Sequence, residues 1–298
     1  MTEEQVALSA RIARSQLAPG LYVTATPIGN LEDVTLRALS VLASADLVLC
    51  EDTRVTRRLL DRYALRPKLL AYHEHNAASM RPRILERLGA GESVALVSDA
   101  GTPLVSDPGY KLVEAAIDAG HRIFPIPGAS AALAALVAAG LPTDRFFFEG
   151  FLPAKSGQRK TRIAELAEIP STLVLYESGP RLAASLADLA AGLGARESAV
   201  CRELTKKFEE VRRGTLSKLA AHYDEAGEPK GEIVIVIAPP PAESKIISSD
   251  ALDKKLIAAL TSHTLKDATD AVVADTGMKR RDVYQRALAL AGSRGKTK

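Results

Sequence analysis

Short apolar runs alternate with longer amphipathic stretches from residue 21 to about residue 240. Short apolar runs are typical of buried strands, whereas apolar residues three and four positions apart are typical of helices that pack on one side. The pattern predicts strands at residues 21–25, 45–50, 68–73, 93–97, 121–126, 145–150, 172–178, 198–204 and 232–239. Helical stretches fill most of the gaps between them. This alternation predicts α/β architecture, with largely parallel sheets covered by helices.

So many strands in a chain of 298 residues favour two smaller sheets in two domains, with a break near residues 140–145. Three consecutive prolines, Pro239, Pro240 and Pro241, and the serine-rich stretch after them are typical of a linker. The predicted parts are an N-terminal extension (1–20), an N-terminal α/β domain (21–140), a C-terminal α/β domain (141–240), a linker (241–249) and a helical, helix-turn-helix-like domain with a basic tail (250–298).

Composition narrows the class of protein without identifying it. Hydrophobic residues make up 47% of the chain and charged residues 25%, as in ordinary soluble globular proteins. No apolar run approaches the roughly 20 residues of a membrane span, and residues 1–20 lack the apolar core of a signal peptide. We therefore expect a cytoplasmic protein without a membrane partner. Cys50 and Cys201 lie in separate apolar runs, which predicts buried thiols and no metal site.

Charge is concentrated at the C-terminal end. Residues 241–298 carry eleven basic and seven acidic side chains, although the whole chain has a net charge of only +3. Residues 265–290 show the apolar spacing of two helices around Gly277, with Lys279, Arg280 and Arg281 opening the second helix. This arrangement indicates contact with a nucleic acid, whose phosphates would make binding sensitive to salt. The alternative is a helical cap that packs on its own chain and carries solvated charges.

Gly, Pro, Ser and Asp are frequent in the turns that follow the predicted strands, at residues 26–30, 51–54, 74–76, 98–103 and 127–130. In open α/β sheets, ligands bind at the carboxyl ends of the strands. The turns contain neither a P-loop nor Gly-x-Gly-x-x-Gly, which argues against a standard nucleotide site. Asp99 would repel a pyrophosphate and suits a neutral or cationic ligand that carries hydroxyl and amino groups.

Nine motifs then carry a family resemblance. They are LYVTATPIGNLEDVTLRAL, EDTR, YHEHN, VSDAGTPLVSDPGY, PIPGASAALAAL, GLPTDRFFFEGFLP, YES, RELTKKFEE and KGEIVIVI. In this order they resemble the ribosomal RNA small subunit methyltransferase I family, within the tetrapyrrole-methylase superfamily of S-adenosylmethionine-dependent enzymes. The resemblance covers about residues 21–292.

The resemblance implies two α/β domains of tetrapyrrole-methylase type with S-adenosylmethionine in the cleft between them. It also implies methylation of a cytidine ribose 2′-hydroxyl in 16S ribosomal RNA, a 30S subunit as partner, and the homodimers common in the superfamily. The implied cofactor-binding residues are Pro27, Ser98, Asp99, Ala100, Gly101, Thr102, Ser130, Ala131, Tyr176 and Glu232. Two departures stand out: relatives carry Gly-Asp-Pro at 98–100, and Pro180 replaces a histidine after Tyr-Glu-Ser.

The motif VSDAGTPLVSDPGY holds two similar turns with different expected roles. The first, at 98–103, would contact the cofactor. The second would begin a helix, with Ser106 or Asp107 as N-cap and Pro108 at the first helical position. Gly120 would end that helix.

Methyl transfer from a sulfonium is a direct displacement that alignment and desolvation can promote without a metal. A ribose hydroxyl is a weak nucleophile, so a general base would help. The catalytic candidates are Glu51, Asp52 and Arg54, with Glu74 and His75 as other polar groups at strand ends. Two alternatives stay open: an ion pair of the acids with Arg54 that shapes the loop, or an Arg54 that holds a phosphate.

Three basic segments could bind RNA, at residues 54–58, 155–162 and 206–213. The middle segment is favoured, because it follows Pro153 in an expected loop and contains no acidic residue. The RNA-binding candidates are Lys155, Arg159, Lys160, Arg162, Lys279, Arg280 and Arg281.

Two other functions are compatible with parts of the sequence. The first is methylation of a tetrapyrrole precursor, against which the basic loop and the helical tail argue. The second is a DNA-binding regulator built around the tail, with the α/β body as a ligand sensor.

Overall fold

The structure is a computed structural model that describes residues 16–106, 109–241, 249–261, 263–276 and 280–294. The chain divides between Pro239 and Pro240 into two compact units, a larger α/β unit and a smaller helical unit. The larger unit contains two five-stranded sheets.

The first sheet is entirely parallel, with the strand order β3-β2-β4-β1-β5. Its strands are β1 (Gly20–Thr24), β2 (Leu47–Cys50), β3 (Leu69–Ala71), β4 (Ser93–Val97) and β5 (Ile123–Ile126). The helices between them are α1 (Leu36–Ser44), α2 (Thr53–Arg62), α3 (Ala77–Gly89) and α4 (Tyr110–Asp118). Leu42 and Leu60 pack on one face of the sheet, and Ile84 and Leu112 pack on the other. Because both faces are covered, the central strand β4 is buried at every position.

The second sheet is mostly antiparallel, with the order β6-β7-β10-β8-β9. Its strands are β6 (Phe146–Phe151), β7 (Thr172–Ser178), β8 (Glu197–Arg202), β9 (Glu210–Thr215) and β10 (Glu232–Ile237). Only the β6–β7 pair among its neighbours is parallel. The prediction of largely parallel sheets was therefore wrong here, because an apolar run does not reveal strand direction.

Strand β9 was not predicted at all. Its sequence, Glu-Val-Arg-Arg-Gly-Thr, has no apolar run and overlaps the basic segment 206–213. It lies at the edge of the sheet, next to β8, where charged side chains are common because one side of the strand faces solvent.

Helices cover the second sheet on both faces. On one face lie α6 (Ser156–Ala167), α7 (Gly179–Leu193) and α8 (Leu216–Ala226), around a core that includes Leu186 and Leu219. On the other lies α5 (Ala131–Ala139), whose Ala135 and Leu136 pack against Val174 and Val236 of the sheet. Helix α5 follows β5 along the chain, so it connects the first sheet to the face of the second sheet that carries Val174 and Val236.

The start of α4 corrects the capping prediction. The helix begins at Tyr110 with Gly109 at the N-cap, at a φ of 128°. A Cβ atom there would lie 2.7 Å from a side-chain carbon of Leu104, which explains the glycine. Ser106 is therefore not the N-cap, and Asp107 and Pro108 lie outside the described residues. Gly120 follows the end of the helix at a φ of 78°, as expected.

The smaller unit consists, in its described part, of α9 (Ser249–Ala259), α10 (Leu265–Thr276) and α11 (Arg280–Arg294). Its core includes Leu256, Val272, Val283 and Ala287. The predicted turn residue Gly277 and the predicted RNA contact Lys279 lie outside the described residues. No helix in the described ranges combines the length and the apolar character needed to span a bilayer.

Candidate functional site

Three turns at the carboxyl end of the first sheet join into one wall. Thr26 and Gly101 pair through two backbone hydrogen bonds, of 2.9 and 3.1 Å, which connect the turns after β1 and β4. The Thr102 hydroxyl donates to the Ala129 carbonyl oxygen at 3.1 Å and adds the turn after β5. The sequence predicted these turns at one edge of a sheet, and the hydrogen bonds bring them into contact.

This wall faces strands β7, β8 and β10 of the second sheet across a cavity of about 300 Å³. The lining residues of the first half are Ile28, Ala100, Gly101, Thr102, Val105, Ser106, Ser130 and Ala131. Those of the second half are Phe151, Tyr176, Glu177, Ser178, Cys201, Leu204, Gly231, Glu232, Ile233 and Val234. Small side chains dominate the first wall, so its backbone groups are accessible to a ligand.

Two glycines of the lining adopt backbone conformations that other residues rarely reach. Gly101 has a φ of 79° and Gly231 a φ of 102°. A Cβ atom would lie 3.2 Å from Cγ2 of Ile28 at the first position, and 2.4 Å from the Glu203 side chain at the second. The cavity therefore requires glycine at both points, as is common where backbone approaches a ligand closely.

The sequence-predicted cofactor residues fall into two groups. Seven lie in the cavity lining: Ala100, Gly101, Thr102, Ser130, Ala131, Tyr176 and Glu232. Pro27, Ser98 and Asp99 lie beside it. Ser98 is buried and its hydroxyl donates to the Ala100 carbonyl at 3.0 Å, which shapes the turn. Asp99 accepts the backbone N–H of Asp52 at 3.0 Å and so supports the neighbouring loop.

Residues 203–206, between β8 and β9, form a clasp at the rim of the cavity that the sequence analysis did not identify. The Lys206 ammonium donates to Glu203 at 2.7 Å and to Glu232 at 3.0 Å, while the Glu203 carboxylate also accepts the Glu232 N–H. Hydrogen bonding to Lys206 lowers the pKa of Glu203. Thr205 accepts the N–H of Asn30, which ties the clasp to the first half. The local sequence contains no signal for the clasp, because Lys206 and Glu232 lie 26 residues apart in the chain.

Glu203 and Thr205 adopt the left-handed region, with φ values of 51° and 66°. Such strain in residues other than glycine persists only where the surroundings hold it, and it is concentrated at functional sites. Here the hydrogen bonds of the clasp hold it and place Glu232 at the cavity rim.

The motif Tyr-Glu-Ser supplies both lining and support. The Tyr176 ring contacts Phe148 and Phe151 edge-on, at centroid distances of 5.0 and 5.6 Å. The buried Glu177 carboxylate accepts hydrogen bonds from the Ser178 N–H and the Ser185 hydroxyl. Pro180 stands in the first turn of α7, where its ring suits a helix start.

An acidic edge, defined as Glu51, Asp52, His73 and Asp99, lies next to this cavity. Cys50 pairs with Ala71 of β3, and Leu49 pairs with Leu96 of β4. Strand β2 lies between β3 and β4, so Glu51, directly after β2, lies between the turn that carries His73 and the turn that carries Asp99. Since Asp99 directly precedes the lining residue Ala100, the acidic edge adjoins the cavity.

The two adjacent acids of this edge differ in their electrostatics. Hydrogen bonds from Arg54 lower the pKa of Asp52 to about 2, and the Asp52 carboxylate also accepts the Arg54 N–H as the N-cap of α2. Although Glu51 is exposed at the surface, partial desolvation raises the pKa of its carboxyl group, the negative charge of Asp99 raises this pKa further, and His73 lowers it. Asp52 and Arg54 thus form the loop-shaping ion pair that the sequence left open, whereas the pKa of Glu51 is shifted in the opposite direction.

The other polar candidates at strand ends, Glu74 and His75, lie in the turn after β3. Both are exposed. The rings of His73 and His75 contact each other edge-on with centroids 6.0 Å apart. Across the described ranges, no group of three His, Cys, Asp or Glu residues is arranged to hold a metal ion.

The basic segment 155–162 is helical from Ser156 rather than the loop that was expected. Arg159 has only 7% of its side chain exposed and pairs with Asp188 at 2.6 Å. Arg162 pairs with Glu149 and Glu165. Lys155 is exposed, and Lys160 is exposed although it lies 3.6 Å from Asp188. The two arginines therefore stabilise the fold, and the two lysines face solvent.

In the helical unit, Arg280 and Arg281 open α11 and are both exposed. Arg280 donates to Asp270 of α10 at 2.7 Å, which joins the two helices.

Comparison with known proteins shows the class of protein to which this fold belongs. Residues 20–220 match the model of the tetrapyrrole (corrin/porphyrin) methylases, and residues 247–291 match that of the RsmI C-terminal HTH domain. Among solved structures, the chain is similar to uroporphyrin-III-C-methyltransferase from Thermus thermophilus (TM-score 0.51, 23% identity, 73% of this chain and 94% of that one). Diphthine synthase aligns with a TM-score of 0.57 at 18% identity, over 73% of this chain and 89% of its own. These likenesses concern the fold.

Curated relatives narrow the class further. A protein of Mesorhizobium japonicum named ribosomal RNA small subunit methyltransferase I is 53% identical, over 94% of this chain and 95% of its own. Proteins of the same name from Halalkalibacterium halodurans and Escherichia coli O157:H7 are 44% and 43% identical, over 89% and 91% of this chain and 93% and 96% of theirs. The chain belongs to the ribosomal RNA small subunit methyltransferase I family, which confirms the resemblance seen in the sequence.

Proposed function

We propose that this protein is an S-adenosylmethionine-dependent methyltransferase that methylates a cytidine ribose 2′-hydroxyl in 16S ribosomal RNA. The observation that carries the proposal is the cavity between the two sheets, in a chain whose relatives are named for methylation of small-subunit ribosomal RNA. The substrate would be the 30S subunit or its RNA, and we propose a cytoplasmic location on the same basis.

The cavity suits a methyl donor of this kind. Its first wall offers backbone groups and three hydroxyls, of Thr102, Ser106 and Ser130, and Glu232 adds a carboxylate for an amino or hydroxyl group. Glycine at 101 and 231 keeps space open that a Cβ atom would restrict. When bound, S-adenosylmethionine supplies an electrophilic methyl group on a sulfonium. Ala100, Gly101, Thr102, Ser130, Ala131, Tyr176 and Glu232 would hold it, with Pro27, Ser98 and Asp99 shaping the turns behind them.

Glu51 is the proposed general base. Desolvation, and in second place the charge of Asp99, raise the pKa of Glu51 and bring the carboxylate closer to the range in which it can accept a hydroxyl proton. Asp52 serves by capping α2 and fixing Arg54. The Arg54 side chain is 88% exposed despite the ion pair, so it would be free to hold a phosphate near the target ribose.

Exposed cations of both units would bind the RNA backbone. We propose Lys155 and Lys160 of the α/β unit, and Arg280 and Arg281 of the helical unit, for this role. Lys279, which lies outside the described residues, is proposed for the same role from its place in the sequence alone. Arg159 and Arg162, which the sequence also suggested, are committed to ion pairs with Asp188 and Glu149. Their contribution would be to support the helix that carries the lysines.

Transfer of a tritiated methyl group tests the proposed function. We expect label from S-adenosylmethionine to enter the RNA of 30S subunits, and nuclease digestion to recover it as 2′-O-methylcytidine. DNA and a tetrapyrrole precursor serve as parallel acceptors. Label in the precursor alone would support tetrapyrrole methylation instead. Absence of label from every acceptor, with intact DNA binding, would favour the regulator.

We also propose that the protein forms a homodimer through the outer face of α5. Leu133 and Val137 are exposed there, Val137 to 76%, on a helix that contains no polar residue. Exposed apolar surface of this kind on an otherwise ordinary surface is typical of an interface.

Sedimentation equilibrium tests the dimer. We expect a dimer for the wild type and a monomer for Val137→Asp. Ile117→Asp, at an exposed apolar position on α4, is the matched control and should stay dimeric. A wild-type monomer at micromolar concentration would contradict the proposal.

A further inference from the structure

A second cavity, of about 360 Å³, lies in the α/β unit and shares no lining residue with the first. We name it the edge cavity, because β9 is the edge strand of the second sheet. Its lining residues are Arg202, Glu210, Arg212, His222, Tyr223, Ala226, Gly227, Glu228, Pro229 and Lys230. They come from β8, β9, the end of α8 and the segment before β10.

Two arginines share one carboxylate in the edge cavity. Arg202 donates to one oxygen of Glu210 at 3.1 Å, and Arg212 donates to the other at 2.8 Å. Burial alone would raise the pKa of Glu210, but the two guanidinium groups lower it. Lys230 adds a positive charge at the rim and Glu228 a negative one. With three basic and two acidic side chains among these five residues, the lining has one excess positive charge.

The Tyr223 hydroxyl provides a second, independent observation. The residue is only 4% exposed, and its hydroxyl makes no hydrogen bond of good geometry with any group in the described ranges, although Arg212 lies beside it. Burial raises the pKa of this hydroxyl and Glu210 raises it further, so it stays protonated and can donate. A buried donor without an acceptor is unfavourable unless a ligand supplies one.

We propose that the edge cavity binds a phosphate group of the RNA backbone, in support of the proposed function on which this inference rests. An anion would accept the hydrogen bond of Tyr223 and balance the net positive charge of the lining. A cation would be repelled by the arginines, and an uncharged ligand would leave the excess charge in place. The carbonyl end of α8, at Ala226 and Gly227, also lines the cavity and opposes an anion placed directly against it.

RNA binding at several salt concentrations tests this site. We expect Arg212→Gln to weaken binding to 16S RNA about tenfold and to reduce the salt slope by about one. Tyr223→Phe, which removes one oxygen atom, should weaken binding about threefold at each salt concentration. Both variants should keep the wild-type affinity for S-adenosylhomocysteine and the wild-type melting temperature to within a few degrees.

Matched controls are Arg66→Gln, an exposed arginine that also pairs with an acid, and Tyr110→Phe on an exposed helix start. Equal RNA affinity and salt slope for Arg212→Gln and Arg66→Gln would overturn the inference. So would binding of inorganic phosphate that depends on Tyr223 while RNA binding does not, since the site would then serve a free anion. Failure of the wild type to methylate 30S subunits would instead contradict the proposed function.

Discussion

Gly101→Val is expected to weaken binding of S-adenosylhomocysteine at least about 100-fold. Gly101 has a φ of 79°, and a Cβ atom there would lie 3.2 Å from Ile28 in the cavity lining. A β-branched residue at positive φ costs about 1–3 kcal/mol, so the turn would move or the cavity would lose volume. Either change would also disturb the two hydrogen bonds with Thr26. Isothermal titration calorimetry measures the effect.

Gly91→Val is the matched control for this prediction. Gly91 has a similar φ of 84°, but a Cβ atom there meets nothing within 4 Å. This variant should lose about 1–3 kcal/mol of folding free energy through the same backbone strain and bind the ligand as the wild type does. If Gly101→Val binds as tightly as Gly91→Val, the donor does not occupy this cavity.

Glu51→Gln is expected to lower kcat for 30S subunits by about 10³-fold and to leave donor affinity unchanged. A general base contributes about 10²- to 10⁴-fold, and the glutamine cannot accept the proton. Because the base must be ionised and the pKa of Glu51 is raised, wild-type activity should fall as pH decreases through a value above the ordinary pKa of about 4.3 for glutamate. Single-turnover rates measured across pH test both points.

The fall in rate at low pH is the acidic limb of the pH profile. Asp99→Asn should move this limb to lower pH, because the substitution removes a negative charge that raises the pKa of Glu51. The matched control is Glu74→Gln, an exposed acid in the next turn, which should change neither kcat nor the limb. Asp52→Asn should mainly reduce stability, since Asp52 already ionises with a pKa of about 2 in its ion pair with Arg54. A limb that persists unchanged in Glu51→Gln would exclude Glu51 as the base.

Secondary structure was predicted best where burial is complete. The run Ser-Val-Ala-Leu-Val was identified as a strand because β4 is covered on both faces and is apolar at every position after Ser93. Strand β9 was missed because it lies at a sheet edge and carries charged side chains. The helix start at Ser156 was missed because its first turn is polar, although Arg159 is buried there.

The part of the site that local sequence encodes could be predicted, and the part formed by distant residues could not. Turns such as 98–103 follow strands directly, so local sequence was enough to suggest where ligand-facing backbone lies. Pairs distant in sequence gave no such signal. Lys206 meets Glu232, and Arg159 meets Asp188, only because separate elements fold together.

By itself, the sequence determined the alternation of strands and helices, the glycine-rich turns and the family, because these depend on residues close together or on long ordered motifs. Tertiary structure decided strand direction in the second sheet, the separation of Glu51 from Asp52 in pKa, and which arginines remain accessible. Those properties depend on burial and on charges that folding brings together. For this reason two arginines of the same chain differ in role: Arg159 is buried in an ion pair that stabilises the fold, whereas Arg54 is exposed to solvent.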